Sequence, residues 1–256
     1  MTTLLVDIGN TRIKWARLGT RLGQGKAAAH SGWRAADYAR HLFAAVPRPR
    51  RVVVASVAGS SVNQTLAAAA RRAGAAVELV TVPRRGGGVT VGYVEPWRLG
   101  VDRFAAAVGA HEIFAGLPVC VVGVGTAMTI DLVGADGRHR GGVIVPAPNL
   151  MVETLLANTH GIRRRAQGGA VGDRGIFGRS TRDAIERGSR YAAAALVDRA
   201  VEEASSLLGR EPLVVLTGGD ARLVRPLLRS RCVAVPDLVL RGLAVLSRQA
   251  SRARRP

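Results

Sequence analysis

Apolar residues recur along this chain with two distinct periods. Short alternating or continuous apolar runs, bounded by glycine and polar residues, predict strands at 3–8, 13–18, 51–56, 77–81, 118–122, 128–133, 141–145, 213–216 and 232–235. Segments with a helical period predict helices at 35–45, 61–73, 103–114, 150–158, 181–208, 221–229 and 238–247. Asp37, Tyr38, His41, Leu42 and Ala45, for example, fall at helical spacing. Strands alternating with helices predict a layered α/β fold. Gly86-Gly87-Gly88 is expected to be a flexible connection, and 251–256 a frayed basic tail.

The strand pattern also repeats. Residues 4–15 read as strand, glycine-hydroxyl turn, strand, and residues 118–131 read the same way, alike in shape though not residue for residue. A third apolar strand follows the second unit across Asp136-Gly137, a strong hairpin signal. The chain is therefore expected to divide into two similar domains, 1–115 and 116–256, with a nucleotide between them.

The turns carry the candidate chemistry. Asp7-Ile8-Gly9-Asn10-Thr11 packs a carboxylate, a glycine, an amide and a hydroxyl into one strand-to-strand turn. Glycine permits close backbone approach, the N–H groups of such a turn can cradle an anion, and a carboxylate there can hold magnesium or its waters. The same residues would also make a polar hairpin in which Asn10 and Thr11 satisfy their own backbone. Thr217-Gly218-Gly219-Asp220 ends a buried strand before a helix, where a flat ligand or an anion can approach the backbone, or where Asp220 simply caps the helix.

Composition narrows the class. With 256 residues and 48% apolar content, the chain can bury a substantial core and is not a disordered one. Cys120 and Cys232 lie in apolar runs without metal-like spacing and read as buried thiols of a reducing compartment. Asp7, Asn10, Arg12 and Lys14 interrupt any signal sequence, and the uncharged stretch 115–130, rich in Gly and Thr, falls short of the roughly 20 apolar residues of a membrane span. A cytoplasmic protein with no membrane partner is expected. The net charge of +19 raises the question of nucleic acid. Against it, only Lys14 and Lys26 are lysine, the arginines are scattered apart from clusters at 48–51, 163–165 and 252–255, and aromatic residues make up only 4%.

Taken in order, these motifs resemble the type III pantothenate kinases of the acetate and sugar kinase/Hsp70/actin superfamily, over essentially the whole length. Asp7-Ile8-Gly9-Asn10-Thr11-Arg12-Ile13-Lys14 resembles the first ATP-phosphate motif, and Gly125-Thr126-Ala127-Met128-Thr129-Ile130-Asp131 the second. The run Tyr93 to Arg103, with Gly100-Val101-Asp102-Arg103, resembles the pantothenate segment, and Gly218-Gly219 the adenosine-side turn. Thr181 stands where the family has a substrate-contacting threonine, although locally it reads as a helix N-cap.

The resemblance implies two ribonuclease-H-like domains with an interdomain nucleotide cleft, a homodimer, and transfer of the ATP γ-phosphoryl group to the terminal hydroxyl of pantothenate. It implies Asp102 as the catalytic base and Arg103 as the partner of the substrate carboxylate; locally Asp102 also reads as a helix cap. Tyr93 would contact substrate, Thr11 and Thr126 would donate to phosphate, and Asp7, with Asp131 second, would organise Mg²⁺. Two positions depart from the pattern. Members that bind K⁺ or NH₄⁺ carry aspartate where this chain has Gly123, which leaves two alternatives, an ion held through backbone carbonyls or a lost site, and the usual Pro-Gly is Pro146-Ala147. A regulatory or nucleic-acid-binding protein on the same scaffold is the alternative, and the Tyr93-to-Arg103 segment argues against a sugar or acetate kinase.

Overall fold

The computed structural model describes residues 2–168, 172 and 175–253. The first sheet contains β1 (Thr3–Ile8), β2 (Arg12–Leu18), β3 (Lys26–Ala29), β4 (Arg51–Ser56) and β5 (Ala76–Leu79) in the order β3-β2-β1-β4-β5. β1 pairs antiparallel with β2 and parallel with β4, and β4 pairs parallel with β5. A short ribbon, β6 (Arg85–Gly86) and β7 (Val89–Thr90), follows. The second sheet repeats the order. β8 (Val119–Val124), β9 (Ala127–Val133), β10 (His139–Pro146), β11 (Leu213–Thr217) and β12 (Cys232–Ala234) run β10-β9-β8-β11-β12, with β8/β9 antiparallel and β8/β11 and β11/β12 parallel. The repeat read from the sequence is thus a repeat of topology, and each sheet has the ribonuclease-H-like arrangement.

The helices are α1 (Ala35–Tyr38), α2 (Ser60–Arg72), α3 (Val101–Ile113), α4 (Pro148–Asn158), α5 (His160–Arg165), α6 (Thr181–Leu208), α7 (Ala221–Val224) and α8 (Leu238–Ala253). Strand alternation decides which helices cover which face of the first sheet. Leu4, Val6 and Ile8 pack with Tyr38, Leu42, Phe43 and Leu66 on one side. Leu5, Ala16, Leu18 and Val53 pack with Ala105 of α3 and Leu240, Leu243 and Ala244 of α8 on the other. Asp7, two residues from Leu5 in β1, shares its face and so lies on the α3/α8 side. In the second sheet, Cys120, Val122, Met128, Val214 and Leu216 form a core with Ala193, Val197 and Val201 of α6.

The chain separates into two compact units. One comprises residues up to Gly116, Ala135–Arg140 and the chain from Asp237 onward; the other comprises Leu117–Gly134 and Gly141–Pro236. A simple division at 115/116 assigns the C-terminal helix to the second half. The structure instead packs α8 against the first sheet through its apolar face, and the 135–140 turn joins that unit through Thr90 N–H donating to Gly137 O.

Other elements depart from the sequence reading. The expected 35–45 helix is a single α-turn continued by a π-helical segment, Ala39–Phe43. The expected 221–229 helix stops early, because Pro226 sits in a 3₁₀ turn, Arg225–Leu227, after which Leu228 is extended. The triple glycine is a tight β6–β7 turn with positive φ at Gly87 and Gly88, tied by Gly87 N–H to Gln249 Oε1 at 2.9 Å, and is not a loose connection. Of the expected basic tail, 251–253 continue α8, and 254–256 lie outside the described residues. Among the described residues, no helix is long and apolar enough to cross a membrane.

Candidate active site

The first-unit site begins at the β1–β2 turn. Register sets Asp7 opposite Lys14 and Ile8 opposite Ile13, and Gly9 N–H donates to Arg12 O at 3.0 Å to close the turn. Asn10, Thr11 and Arg12 are exposed. Burial pushes the Asp7 carboxyl up to about 7; Lys14 opposes this, while the carboxylates of Asp102 and Asp237 add to it. The last two are brought to Asp7 by the helices on its side of the sheet. Asp102 stands in the first turn of α3, and Asp237, with a left-handed φ of 56°, directly precedes α8.

Asp102 does not cap α3; Gly100 occupies the N-cap position. The Asp102 Oδ1 accepts from Arg103 N–H at 2.9 Å and folds back over Gly100, where a Cβ would lie only 2.6 Å from it. The glycine of the Gly-x-Asp-Arg motif is therefore what leaves room for this carboxylate. Arg103 is only 7% exposed; its Nη1 donates to the Tyr93 hydroxyl at 3.1 Å, and its guanidinium lies 5.8 Å from the Tyr93 ring centre. Tyr93 in turn tilts against His139, 5.7 Å between ring centres. Tyr93, Gly100, Val101, Asp102 and Arg103 are thus one local group.

Sequence reasoning missed Arg84. Its fork donates to the carbonyls of Tyr93 and Val94, each at 2.6 Å, and fixes the segment that carries the tyrosine. It missed Asp237 as well: neither residue belongs to a motif, and Asp237 reaches Asp7 only through the packing of α8 on the first sheet.

The second unit knits its three glycine-bearing segments together. Gly125 N–H donates to Ala127 O at 3.0 Å, and Thr126 O accepts from Ala147 N–H at 3.2 Å. Gly218 has φ 99°, and a Cβ there would overlap the Val124 carbonyl, so only glycine fits. Asp220 stands at the N-cap position of α7 without a side-chain capping bond; its Oδ2 instead accepts from Asn149 Nδ2 at 2.7 Å, tying the Gly218-Gly219 turn to α4. Ala147 adopts an ordinary extended conformation (φ −72°) before Pro148, so the departure from Pro-Gly needs no left-handed residue.

Three expected residues stand differently from the local reading. Thr181 is the first residue of α6, and the cap is Ser180, whose Oγ accepts from Asp183 N–H at 3.1 Å. Asp183 also accepts from Gly172 and Arg179 N–H and pairs with Arg187 at 2.6 Å; that guanidinium holds its carboxyl below the usual range. Asp131 is 2% exposed within β9, so its carboxylate lies inside the sheet rather than on a turn. At Gly123 a Cβ would meet Thr129 Oγ1 at 3.0 Å. Among the described residues, no group of three or more His, Cys, Asp or Glu is arranged to hold a metal on its own.

Comparison with known proteins identifies the fold and the family. A solved Baf-family protein from Campylobacter jejuni superposes with a TM-score of 0.61 at 18% identity, over 97% of this chain and 99% of that one. MreB 5 of Spiroplasma citri, bound to AMPPNP, superposes at 0.53 and 12% identity over 98% and 97%. At these identities the likeness establishes the fold: two ribonuclease-H-like domains of the actin and sugar-kinase type. The sequence relationship is nearer. A type III pantothenate kinase of Nitrosococcus oceani is 37% identical over 98% of this chain and 96% of its own length. The sequence model of that family matches residues 3–203. The chain belongs to the type III pantothenate kinase family.

Proposed function

We propose that this chain transfers the γ-phosphoryl group of ATP to the terminal hydroxyl of pantothenate, the first step of coenzyme A biosynthesis. The observation that carries the reading is the local group in which Asp102, folded over Gly100, stands beside Arg103 and Tyr93 and within electrostatic reach of Asp7. Arg103 takes the pantothenate carboxylate through its planar fork, and the Tyr93 hydroxyl orients that fork. Val101 and Gly100 shape the backbone beneath the substrate. Asp102 accepts the hydroxyl proton as the oxygen attacks the γ-phosphorus and ADP leaves. Thr181 contributes a further substrate contact.

In the first unit, the N–H groups of Asn10 and Thr11 in the turn that Gly9 closes, the Thr11 hydroxyl and Lys14 bind phosphate. In the second unit, Gly125 and Thr126 do the same, and Gly218-Gly219 let the adenosine approach the backbone. Asp7 suits a magnesium ligand: its charge is disfavoured chiefly by burial and further by Asp102 and Asp237, which a bound cation would offset, and Mg²⁺ commonly takes one or two carboxylates besides phosphate oxygens. When bound, Mg²⁺ neutralises charge developing on the transferred phosphate. The buried Asp131 is better suited to support the second turn than to ligate the ion directly.

K⁺ or NH₄⁺ meets no carboxylate at 123, so turnover is expected to be the same in potassium as in sodium buffers. The reading includes a homodimer; exposed apolar surface that supports one lies along α4, of which only Pro148 is buried, and on the edge strand β10, where Val143 and Ile144 are 44% and 60% exposed. The reading puts the enzyme in the cytoplasm, with its thiols reduced.

Two results test it. ADP release should depend on pantothenate and not on glucose or acetate. Arg103→Lys should raise the KM for pantothenate about tenfold or more, since a lysine keeps the charge and loses the fork, and should leave the KM for ATP unchanged. A shift in the ATP KM alone would misassign the residue.

A further inference from the structure

A histidine outside every motif holds the first phosphate turn. His30 follows β3, is 5% exposed, and places its Nε2 2.8 Å from the Gly9 carbonyl oxygen. A carbonyl oxygen only accepts, so Nε2 carries the proton and donates. The backbone makes a second tie in the same place, His30 N–H to Thr11 O at 3.4 Å. The ring is fixed edge-on against Trp33 at 6.4 Å, and Trp33 N–H donates back to His30 O at 3.1 Å.

A trans peptide points its C=O and the next N–H in opposite directions. A carbonyl pinned at Gly9 therefore aims the N–H of exposed Asn10 away from His30, outward from the turn. We infer that His30 is a positioning residue for nucleotide phosphate: by holding the Gly9 carbonyl it presents the Asn10 N–H as a preorganised donor. The inference rests on the reading of 7–11 as a phosphate turn. Without the histidine, the Gly9 peptide is free to rotate, and ordering it is charged against ATP binding. The contact spans 21 residues, so it is a device of the fold and not of the hairpin itself.

The test compares His30→Gln, which keeps an N–H donor at similar reach, with His30→Leu, which fills the space without one. ADP affinity by calorimetry and both KM values are read on each variant and on wild type. His30→Leu should weaken ADP binding and raise the ATP KM up to about tenfold, the loss of one hydrogen bond, with the pantothenate KM unchanged and His30→Gln largely restored. Equal losses in both variants, an unaffected ADP affinity in His30→Leu, or a rise confined to the pantothenate KM would overturn the inference. If His30→Leu does not fold, the wild type decides: ring ¹⁵N shifts should report the Nε2–H tautomer, and the Nδ1–H tautomer would refute it. A wild type that binds no ADP would instead overturn the phosphate reading beneath it.

Discussion

Asp102→Asn is expected to fold normally and lose about 10²–10⁴-fold in kcat, the usual contribution of a positioned general base. The substitution preserves shape: the amide oxygen can still accept from Arg103 N–H, as Oδ1 does at 2.9 Å, and Gly100 still leaves it room. What is lost is the capacity to take a proton from the pantothenate hydroxyl. Stability should not suffer, because Asp102 is one of the carboxylates that push the Asp7 carboxyl upward, and removing its charge relieves that repulsion. The KM for pantothenate should change little, since Arg103 and Tyr93 remain in place. Steady-state kinetics beside a melting curve separate the cases. Turnover near wild type would remove Asp102 from catalysis, whereas a lost melting transition would make it structural.

The second large effect is on folding. Gly242 of α8 lies against the backbone of α3 so closely that a Cβ would overlap the Ala105 carbonyl, and across the same crossing a Cβ at Gly109 would stand 2.6 Å from Leu238 O. Here the obstruction is helix backbone, which cannot rotate aside as a side chain can. Gly242→Ala must push the two helices apart and break the packing of Ala105, Leu240 and Leu243 with Leu5 and Val53. A loss of about 3 kcal/mol is expected from such overpacking, which at about 2–4 °C per kcal/mol is a clear fall in melting temperature. Because α3 carries Asp102 and Arg103, activity should fall at temperatures below the melting point as well. Gly188→Ala is the control: Gly188 sits mid-helix in α6 with nothing within 4 Å, so alanine there should stabilise by about 1 kcal/mol. Similar behaviour of the two variants would contradict the account of the crossing.

The legible parts of this protein were those whose physics is local. Continuous apolar runs mark the central strands of both sheets, and β1 runs Thr3–Ile8 as expected. The 181–208 helix also appears with the expected ends, because a serine cap and a glycine stop bracket it; the cap is Ser180, one residue before the Thr181 that local reading favours. Glycine-bearing turns could be read because few other residues tolerate what they do; Gly218 shows this directly. The chain's own alanines hid β3, since Lys26–Ala29 lacks the branched and aromatic residues that mark a strand. The remaining misses are long-range. Nothing near residue 240 announces that α8 covers the Asp7 face, nothing near residue 84 that its fork clasps Tyr93, and nothing near residue 30 that its ring holds Gly9. Such contacts are properties of the packed chain, and they are what turn a set of motif residues into a shaped site.

The most direct measurement is ³¹P NMR of the purified chain incubated with ATP, Mg²⁺ and pantothenate. The account predicts a phosphate monoester on the terminal hydroxyl of pantothenate, growing in step with ADP and absent with Asp102→Asn. ADP accompanied only by inorganic phosphate, or a monoester that forms equally well in that variant, would contradict it.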